Sequence, residues 1–194
     1  MLTETRIEEI LRDSGTLMTG HFIYTSGRHG DKYFEKARIL QNPAYVVEII
    51  SHLAAQFKND NVDIVIAPAV GAVILGYELA RQLGTACLFT ERENDKMTLR
   101  RGFNIPQGAR VVVAEDVVTT GGSVQEVIDI VKNAGGVLVG VSLLVDRTGG
   151  TIDFGAKTVA AYTTSAVSYE AENCPICVAG EAPLTKPGSR GLTK

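Results

Sequence analysis

The amino-acid sequence predicts an open α/β fold, in which a central, mostly parallel sheet is flanked by helices. Two observations favour this class. Segments rich in valine, isoleucine and alanine recur along the chain with apolar residues on both faces, as strands of a fully covered sheet require. Segments with helical periodicity lie between them, and this alternation is typical of a parallel sheet with helices on both sides. In such folds the ligand sits beyond the carboxyl ends of the strands.

The predicted elements follow one another in this order. An amphipathic helix covers Leu2 to Arg12, and the stretch HFIYTSGRHGDKYF at 21–34 forms two short extended pieces joined by a turn. A second helix runs from Pro43 to about Phe57, because proline is favoured at the first helical position. Strands and helices then alternate: strand 62–67, helix 71–83, strands 86–90 and 110–114, helix 121–134, and strands 137–145 and 159–163. The final stretch, APLTKPGSRGLTK, is expected to fray.

Composition and charge exclude several functional classes. Hydrophobic residues make up 45% of the 194 residues and charged residues 21%, which is typical of a globular domain. The net charge of -3 gives no broad electrostatic reason to bind nucleic acid. The longest apolar run, at 137–145, is far shorter than the roughly 20 residues that cross a bilayer. We therefore expect a cytoplasmic protein without a nucleic-acid or membrane partner.

The cysteines and histidines give no clear metal site. The three cysteines, Cys87, Cys174 and Cys177, do not imply a disulfide framework. The motif Cys174-Pro-Ile-Cys177 could supply half of a zinc site, but structural zinc usually takes four ligands. We interpret the pair as reduced thiols in a C-terminal turn, with a site shared by two chains as the alternative. The histidines are expected to be structural or exposed, since none has a metal-ligand partner at a telling spacing: His21, His29 and His52.

The stretch RVVVAEDVVTTGGSV, at 110–124, carries the strongest chemical signal. Glu115 and Asp116 follow a valine-rich strand, at the end where this fold places its ligand, and are predicted to lie outside the core. The turn from Thr119 to Ser123 leads into a helix, so its glycines, hydroxyls and helix terminus suit a phosphate monoester. Ionised acids accept hydrogen bonds from hydroxyls. A ribose 5-phosphate offers both groups.

Two other phosphate-binding motifs do not fit this stretch. A nucleoside triphosphatase loop requires a lysine after its glycines, and none is present. A dinucleotide fingerprint requires its glycines directly after the strand, where Glu115 and Asp116 stand. The remaining alternative is an ordinary strand-to-helix turn with solvated acids.

The stretch VVVAEDVVTTGGSV resembles the phosphoribosyl pyrophosphate motif of type I phosphoribosyltransferases, and the whole chain resembles the orotate phosphoribosyltransferase family. Further similar segments occur in the family's order: GHFIYTSGRHGDKYF at 20–34, APAVGAVILGYELAR at 67–81, FTERENDKMTLRRGF at 89–103 and VDR at 145–147. The resemblance implies the type I phosphoribosyltransferase fold as a single domain. It implies an N-terminal hood at about 1–42, a core at about 43–165 and a tail beyond.

The resemblance also implies a reaction and the residues that perform it. The phosphoribosyl group of phosphoribosyl pyrophosphate would pass to orotate, with Mg²⁺ held mainly by the substrate rather than by protein ligands. Glu115 and Asp116 would hold the ribose hydroxyls. The adjoining loop would bind phosphoribosyl pyrophosphate, chiefly its 5-phosphate, through Val117, Val118, Thr119, Thr120, Gly121, Gly122 and Ser123. Orotate would contact Thr119, Arg147, Tyr33 and Phe34.

The charged segment Glu91–Arg101 is predicted to be a mobile lid, because it has too few apolar residues to bury itself. The resemblance implies that it closes over the pyrophosphate from the other subunit of a homodimer. Arg92 and Lys96 would then be catalytic together with Asp116. Glu93 and Thr98 depart from the commonest pattern of the family. Two alternatives stay open at this point: a purine or xanthine phosphoribosyltransferase, and a non-catalytic regulator that senses nucleotides.

Overall fold

The structure is a computed structural model that describes residues 1–165, 167–180 and 182–187. Its strands are β1 Leu17–Ile23, β2 His29–Phe34, β3 Ile64–Pro68, β4 Ala86–Glu93, β5 Lys96–Leu99, β6 Arg110–Val118, β7 Val137–Asp146, β8 Lys157–Thr163 and β9 Leu184–Thr185. Its α-helices are α1 Glu4–Asp13, α2 Ala37–Leu40, α3 Pro43–Phe57, α4 Val73–Leu83, α5 Gly122–Asn133 and α6 Pro175–Ala179.

A six-stranded sheet forms the centre of the fold, with strand order β5-β4-β3-β6-β7-β8. All neighbouring strands are parallel except β4 and β5, which are antiparallel. Successive side chains of a strand point to opposite faces. Val65 and Ala67 therefore pack in the cluster with α1, α3 and α4, whereas Ile64 and Ile66 pack in the cluster with α5. Burial on both faces explains the continuous apolar runs, and the predicted fold class is confirmed.

A second, three-stranded sheet, here called the hood sheet, has the order β2-β1-β9. β1 and β2 form an antiparallel hairpin, and β9 pairs parallel to the other side of β1. The prediction that the C-terminal stretch frays is wrong for Leu184 and Thr185, because both pair with β1. Residues 188–194 lie outside the described residues. The proposed boundaries near residues 42 and 165 stay predictions.

The charged segment 91–101 folds into a hairpin. Arg92 pairs with Met97 and Glu93 with Lys96 across the antiparallel strands β4 and β5. The segment does bury one side chain, since Met97 packs in the core on the α5 side of the sheet. The prediction that it cannot bury itself is wrong on this point, because the paired backbone carries Met97 inward while the charged side chains stay at the surface.

In the part of the chain that the structure describes, no helix is long and apolar enough to cross a bilayer. The cytoplasmic location stays a prediction.

Candidate active site

The two adjacent acids lie inside strand β6 rather than after it. β6 continues to Val118 because β7 runs beside it along the whole length, with Glu115 opposite Leu143 and Val118 opposite Asp146. Only 8% of Glu115 and 2% of Asp116 are exposed. The prediction that the acids lie outside the core is therefore wrong, although they do lie near the carboxyl end of the strand.

Lys36 compensates the charge of Asp116. Its Nζ atom lies 2.9 Å from Oδ1 and 2.8 Å from Oδ2 of Asp116, with hydrogen-bond geometry toward Oδ1. The same Oδ1 accepts a hydrogen bond from the backbone N–H of Val117 at 2.6 Å. A buried carboxylate needs such partners, because an uncompensated charge in the interior is costly. Lys36 was not predicted as a site residue from the sequence. The one signal for it was its position directly after the Tyr33-Phe34-Glu35 stretch.

Glu115 forms no ion pair with the described residues, although the charge of Lys36 acts on it in the direction that lowers its pKa. Burial, followed by the charge of Asp116, raises the pKa of Glu115 to about 8, and its Oε1 accepts the backbone N–H of Asp116 at 2.9 Å. The free protein therefore holds this carboxyl protonated at neutral pH, and it can donate a hydrogen bond as well as accept one.

Because the pKa of Glu115 is raised, the free energy of unfolding should depend on pH. Between about pH 4.5 and 8 the folded chain keeps a proton that the unfolded chain releases, so Glu115 destabilises the fold progressively as pH rises. We expect Glu115→Gln to gain about 3 kcal/mol relative to the parent between pH 5 and pH 8, measured by urea unfolding. A difference between Glu115→Gln and the parent that does not change with pH would contradict the assignment.

The turn at 119–123 forms a small hollow at the start of α5. The hollow is lined by Glu115 and by residues 117–124. Gly121 adopts a left-handed conformation with φ of 80° and ψ of 0°, and no side chain caps α5. The first amide groups of the helix thus have no intrahelical acceptor. The positive end of the helix dipole lies at the same place, beside the hollow. This arrangement suits a phosphate.

Gly121 is required by both conformation and space. A Cβ atom at this position would lie 2.3 Å from Cδ1 of Ile152. We expect Gly121→Ala to lower the free energy of unfolding by about 2 kcal/mol, because strain and a clash act together. Gly122→Ala is the matched control, since its Cβ would meet only Oγ1 of Thr120 at 3.9 Å. Equal thermal stability of the two variants would contradict this requirement.

Arg147 follows β7 and lies against two aromatic rings. Its guanidinium carbon is 5.3 Å from the ring centre of Tyr24 and 5.7 Å from that of Phe34. Its backbone N–H donates to Val118 at 2.9 Å, which ties it to the end of β6. Its Nε is buried and has no hydrogen-bond partner among the described residues. The neighbouring acid is occupied elsewhere, since Asp146 accepts hydrogen bonds from the backbone N–H and hydroxyl of Thr148 and from the backbone N–H of Gly150.

The two aromatic residues predicted to contact orotate lie in different surroundings. Phe34 lies against Arg147, whereas the ring centre of Tyr33 is 5.8 Å from that of Phe22. Their contact with orotate stays a prediction. Burial raises the pKa of Tyr33, and the nearby charges of Arg147 and Lys36 oppose that rise. Tyr24 was not predicted as a site residue from the sequence, although it lies in the same turn as the Ser-Gly-Arg motif.

The two cations of the hairpin lie elsewhere. Arg92 donates to both carboxylate oxygens of Glu126 on α5, at 2.8 and 3.3 Å, and this pairing raises the pKa of Arg92. Lys96 is exposed at the start of β5. In the described ranges, neither side chain bonds to residues 115–123. The structure therefore brings together the acids, the turn at 119–123 and Arg147, but not the predicted cations of the lid.

A cavity of about 550 Å³ lies at the opposite edge of the sheet and is lined by Asp63, Ile64, Ala86, Leu88, Asn104 and residues 106–109. It surrounds the amino ends of β3 and β4, where α/β folds do not usually place their ligands. The acids and the turn, at the other edge, are the better candidate.

Comparisons with known proteins show which family the chain is similar to. The phosphoribosyl transferase domain family matches residues 36–163, a range that contains Lys36, the acids, the turn and Arg147. The orotate phosphoribosyltransferase of Pelotomaculum thermopropionicum is 49% identical over 191 residues, which cover 98% of this chain and 100% of that protein. The chain belongs to the orotate phosphoribosyltransferase family. The family resemblance predicted from the sequence is confirmed.

Solved structures of phosphoribosyltransferases share the fold. The orotate phosphoribosyltransferase from Aeropyrum pernix has a TM-score of 0.69 and 24% identity, covering 81% of this chain and 93% of that one. An adenine phosphoribosyltransferase from Rhodothermus marinus has a TM-score of 0.68 and 19% identity, covering 83% and 99%. The fold alone therefore does not distinguish pyrimidine from purine bases. Membership of the orotate family rests on the full-length sequence match.

Proposed function

We propose that the protein transfers the phosphoribosyl group of 5-phospho-α-D-ribose 1-diphosphate to orotate, giving orotidine 5′-phosphate and diphosphate in pyrimidine biosynthesis. The observation that carries the proposal is the position of Arg147. A buried donor without a partner is costly, and this one lies between two aromatic rings beside the end of β6. A flat anion such as orotate would satisfy it. The names of the full-length relatives support the same substrate.

In this proposal the turn and the acids hold the sugar phosphate. The 5-phosphate accepts hydrogen bonds from the amides of Thr119 to Ser123 at the start of α5. Asp116 accepts from a ribose hydroxyl, and Glu115, protonated in the free protein, can donate to one or accept from one. Lys36 pairs with Asp116 and would also offer a cation to the diphosphate.

Orotate would bind between the hood sheet and the end of β7. Its carboxylate would pair with the guanidinium of Arg147, whose planar donors match a carboxylate. The ring of Phe34, with Tyr24 beside it, offers a flat apolar wall. Thr119 and Tyr33 complete the predicted set of contacts.

The reaction requires little covalent chemistry from the protein. A ring nitrogen of orotate, which has lost its proton to solvent, forms a bond to the anomeric carbon while the bond from that carbon to the diphosphate oxygen breaks, and diphosphate leaves with the electron pair. Positive charge develops on the sugar, close to the carboxylate of Asp116. The protein accelerates the step by orienting the two substrates and by placing charges where charge develops.

Mg²⁺ fits this site as a partner of the substrate. The oxygen donors near the sugar are carboxylates and hydroxyls, which suit a hard cation, but Asp116 already shares its charge with Lys36. The protein thus offers few free ligands, in keeping with an ion held mainly by the diphosphate. When bound, Mg²⁺ would neutralise charge on that leaving group.

Arg92 and Lys96 would act on the diphosphate from the partner subunit of a homodimer. Their exposure at the tip of the β4–β5 hairpin, whose strand β5 forms an edge of the central sheet, supports this role. Arg92 would have to exchange Glu126 for a phosphate oxygen, because both of its terminal nitrogens donate to Glu126 in the free chain.

A base-specificity assay tests the proposal. The protein is incubated with phosphoribosyl pyrophosphate and Mg²⁺, and the loss of orotate absorbance is followed beside parallel reactions with hypoxanthine, adenine, xanthine and uracil. We expect turnover of orotate alone. Turnover of a purine without orotate would contradict the substrate, and binding of nucleotides without any turnover would instead indicate a regulator.

A further inference from the structure

Four potential metal ligands meet between the hood sheet and the C-terminal segment. His21 and His29 come from β1 and β2, whereas Cys174 directly precedes α6 and Cys177 lies in the middle of that helix. The four ligand atoms all lie within 4.8 Å of one another. No spacing along the sequence indicated a metal-ligand partner for His21 or His29, because about 150 residues separate the two pairs along the chain. No ion is present at this site.

The distances between the ligand atoms suit a tetrahedral metal. Nε2 of His21 lies 3.1 Å from Nδ1 of His29, and 3.5 Å from each cysteine sulfur. The sulfur of Cys177 is 3.3 Å from Nδ1 of His29. Around a tetrahedral zinc, with the usual bond lengths, nitrogens lie roughly 3.4 Å apart and nitrogen and sulfur roughly 3.6 Å apart. The observed separations are within a few tenths of an ångström of these values.

A network of ordinary hydrogen bonds explains the cluster less well. Nδ1 of His21 lies 3.3 Å from the backbone carbonyl of Ala182, which favours the tautomer with the proton on Nδ1. Nε2 of His21 then has a single lone pair, yet it faces three heteroatoms at once. One cation at the centre satisfies all four ligands together. The carbonyl of Ala182 would play the orienting role that partners of metal-bound histidines commonly have.

The burial of the ligands indicates a structural rather than a catalytic metal. Cys174 is fully buried, and only 3% of His21 and 4% of His29 are exposed. Cys177 is exposed and leaves a path by which an ion can enter. Four protein ligands fill a tetrahedral shell, so no position remains for a substrate.

We propose that His21, His29, Cys174 and Cys177 bind one Zn²⁺ ion that fastens the C-terminal segment to the hood sheet. Two thiolates and two imidazoles in a tetrahedron favour zinc among the common divalent metals. Other contacts follow the same path, since β9 pairs with β1, Tyr169 pairs with His29, and Arg28 donates to Ser168. These contacts are weak singly, and the ion would hold them together. This proposal does not depend on the proposed reaction.

Metal content of the full-length protein tests the site. The parent, expressed with added zinc and analysed by elemental mass spectrometry, should carry about one zinc per chain. The double variant Cys174→Ser/Cys177→Ser should carry at least about tenfold less. Cys87→Ser is the matched control, because this half-buried cysteine lies outside the cluster, and it should keep the zinc of the parent. Equal zinc in the double variant, or a zinc-free parent, would overturn the proposal.

A second measurement uses the parent alone, in case the double variant does not fold. Chelation of the ion should expose about two additional reactive thiols for each zinc released, counted with a chromogenic thiol reagent. Cobalt in place of zinc should give the intense visible bands of a tetrahedral ion with thiolate ligands. Thiol reactivity that is the same before and after chelation, or a disulfide between Cys174 and Cys177 in the protein as isolated, would overturn the site.

Discussion

Asp116→Asn lowers kcat/KM for phosphoribosyl pyrophosphate by about 10²- to 10³-fold if the carboxylate faces the sugar as proposed. The variant keeps the shape of the side chain but removes the charge that opposes the positive charge developing on the ribose. It also leaves Lys36 without its anionic partner. The measurement is steady-state kinetics at saturating orotate, with thermal unfolding to show that the variant is folded.

A matched control separates this effect from a general loss of charge. Asp129→Asn removes an exposed carboxylate from α5, where its partner is Gln125, and should leave kcat/KM unchanged. If Asp116→Asn stays within about twofold of the parent, the acid pair does not hold the sugar in the transition state.

Lys96→Ala should lower kcat by about 10²-fold and leave stability unchanged, because its side chain is exposed and would act on the departing diphosphate. The expected loss appears in kcat at saturating concentrations of both substrates. Lys132→Ala, at an exposed lysine in the last turn of α5, is the control and should retain full activity. A Lys96→Ala variant with the turnover of the parent would remove this residue from the mechanism.

Mixing the two inactive variants tests whether the hairpin acts across a dimer. In a heterodimer of Asp116→Asn and Lys96→Ala, one site combines an intact acid pair with an intact partner lysine. Random exchange of subunits should then restore about a quarter of the parent activity, since half of the dimers are mixed and each has one complete site. No recovery after verified exchange would indicate that Lys96 serves its own subunit.

The sequence was sufficient for the fold class and for the glycine-rich turn before α5, because both depend on local patterns. The valines of β6 predict a strand covered on both faces, and the glycines at 121 and 122 predict a turn into a helix. These features are set by neighbouring residues along the chain. Both features can therefore be predicted from short stretches of sequence.

The errors arose where distant residues change the meaning of a pattern. Two adjacent acids suggest a solvated strand end, yet Lys36, 80 residues away, compensates Asp116 inside the protein. Likewise, the Cys-x-x-Cys pair lies close to His21 and His29 only because the C-terminal segment packs against the hood sheet. No spacing along the chain reports such contacts. Tyr24 and Glu126 were missed for the same reason.

The central claim is that one edge of the sheet holds both ends of the sugar phosphate. The most direct test is a crystal structure of the protein with phosphoribosyl pyrophosphate and Mg²⁺. The account predicts the 5-phosphate within hydrogen-bonding distance of the amides of Thr119 to Ser123, and ribose hydroxyls on Glu115 and Asp116. A ligand bound at another place, with the turn free of phosphate, would contradict it.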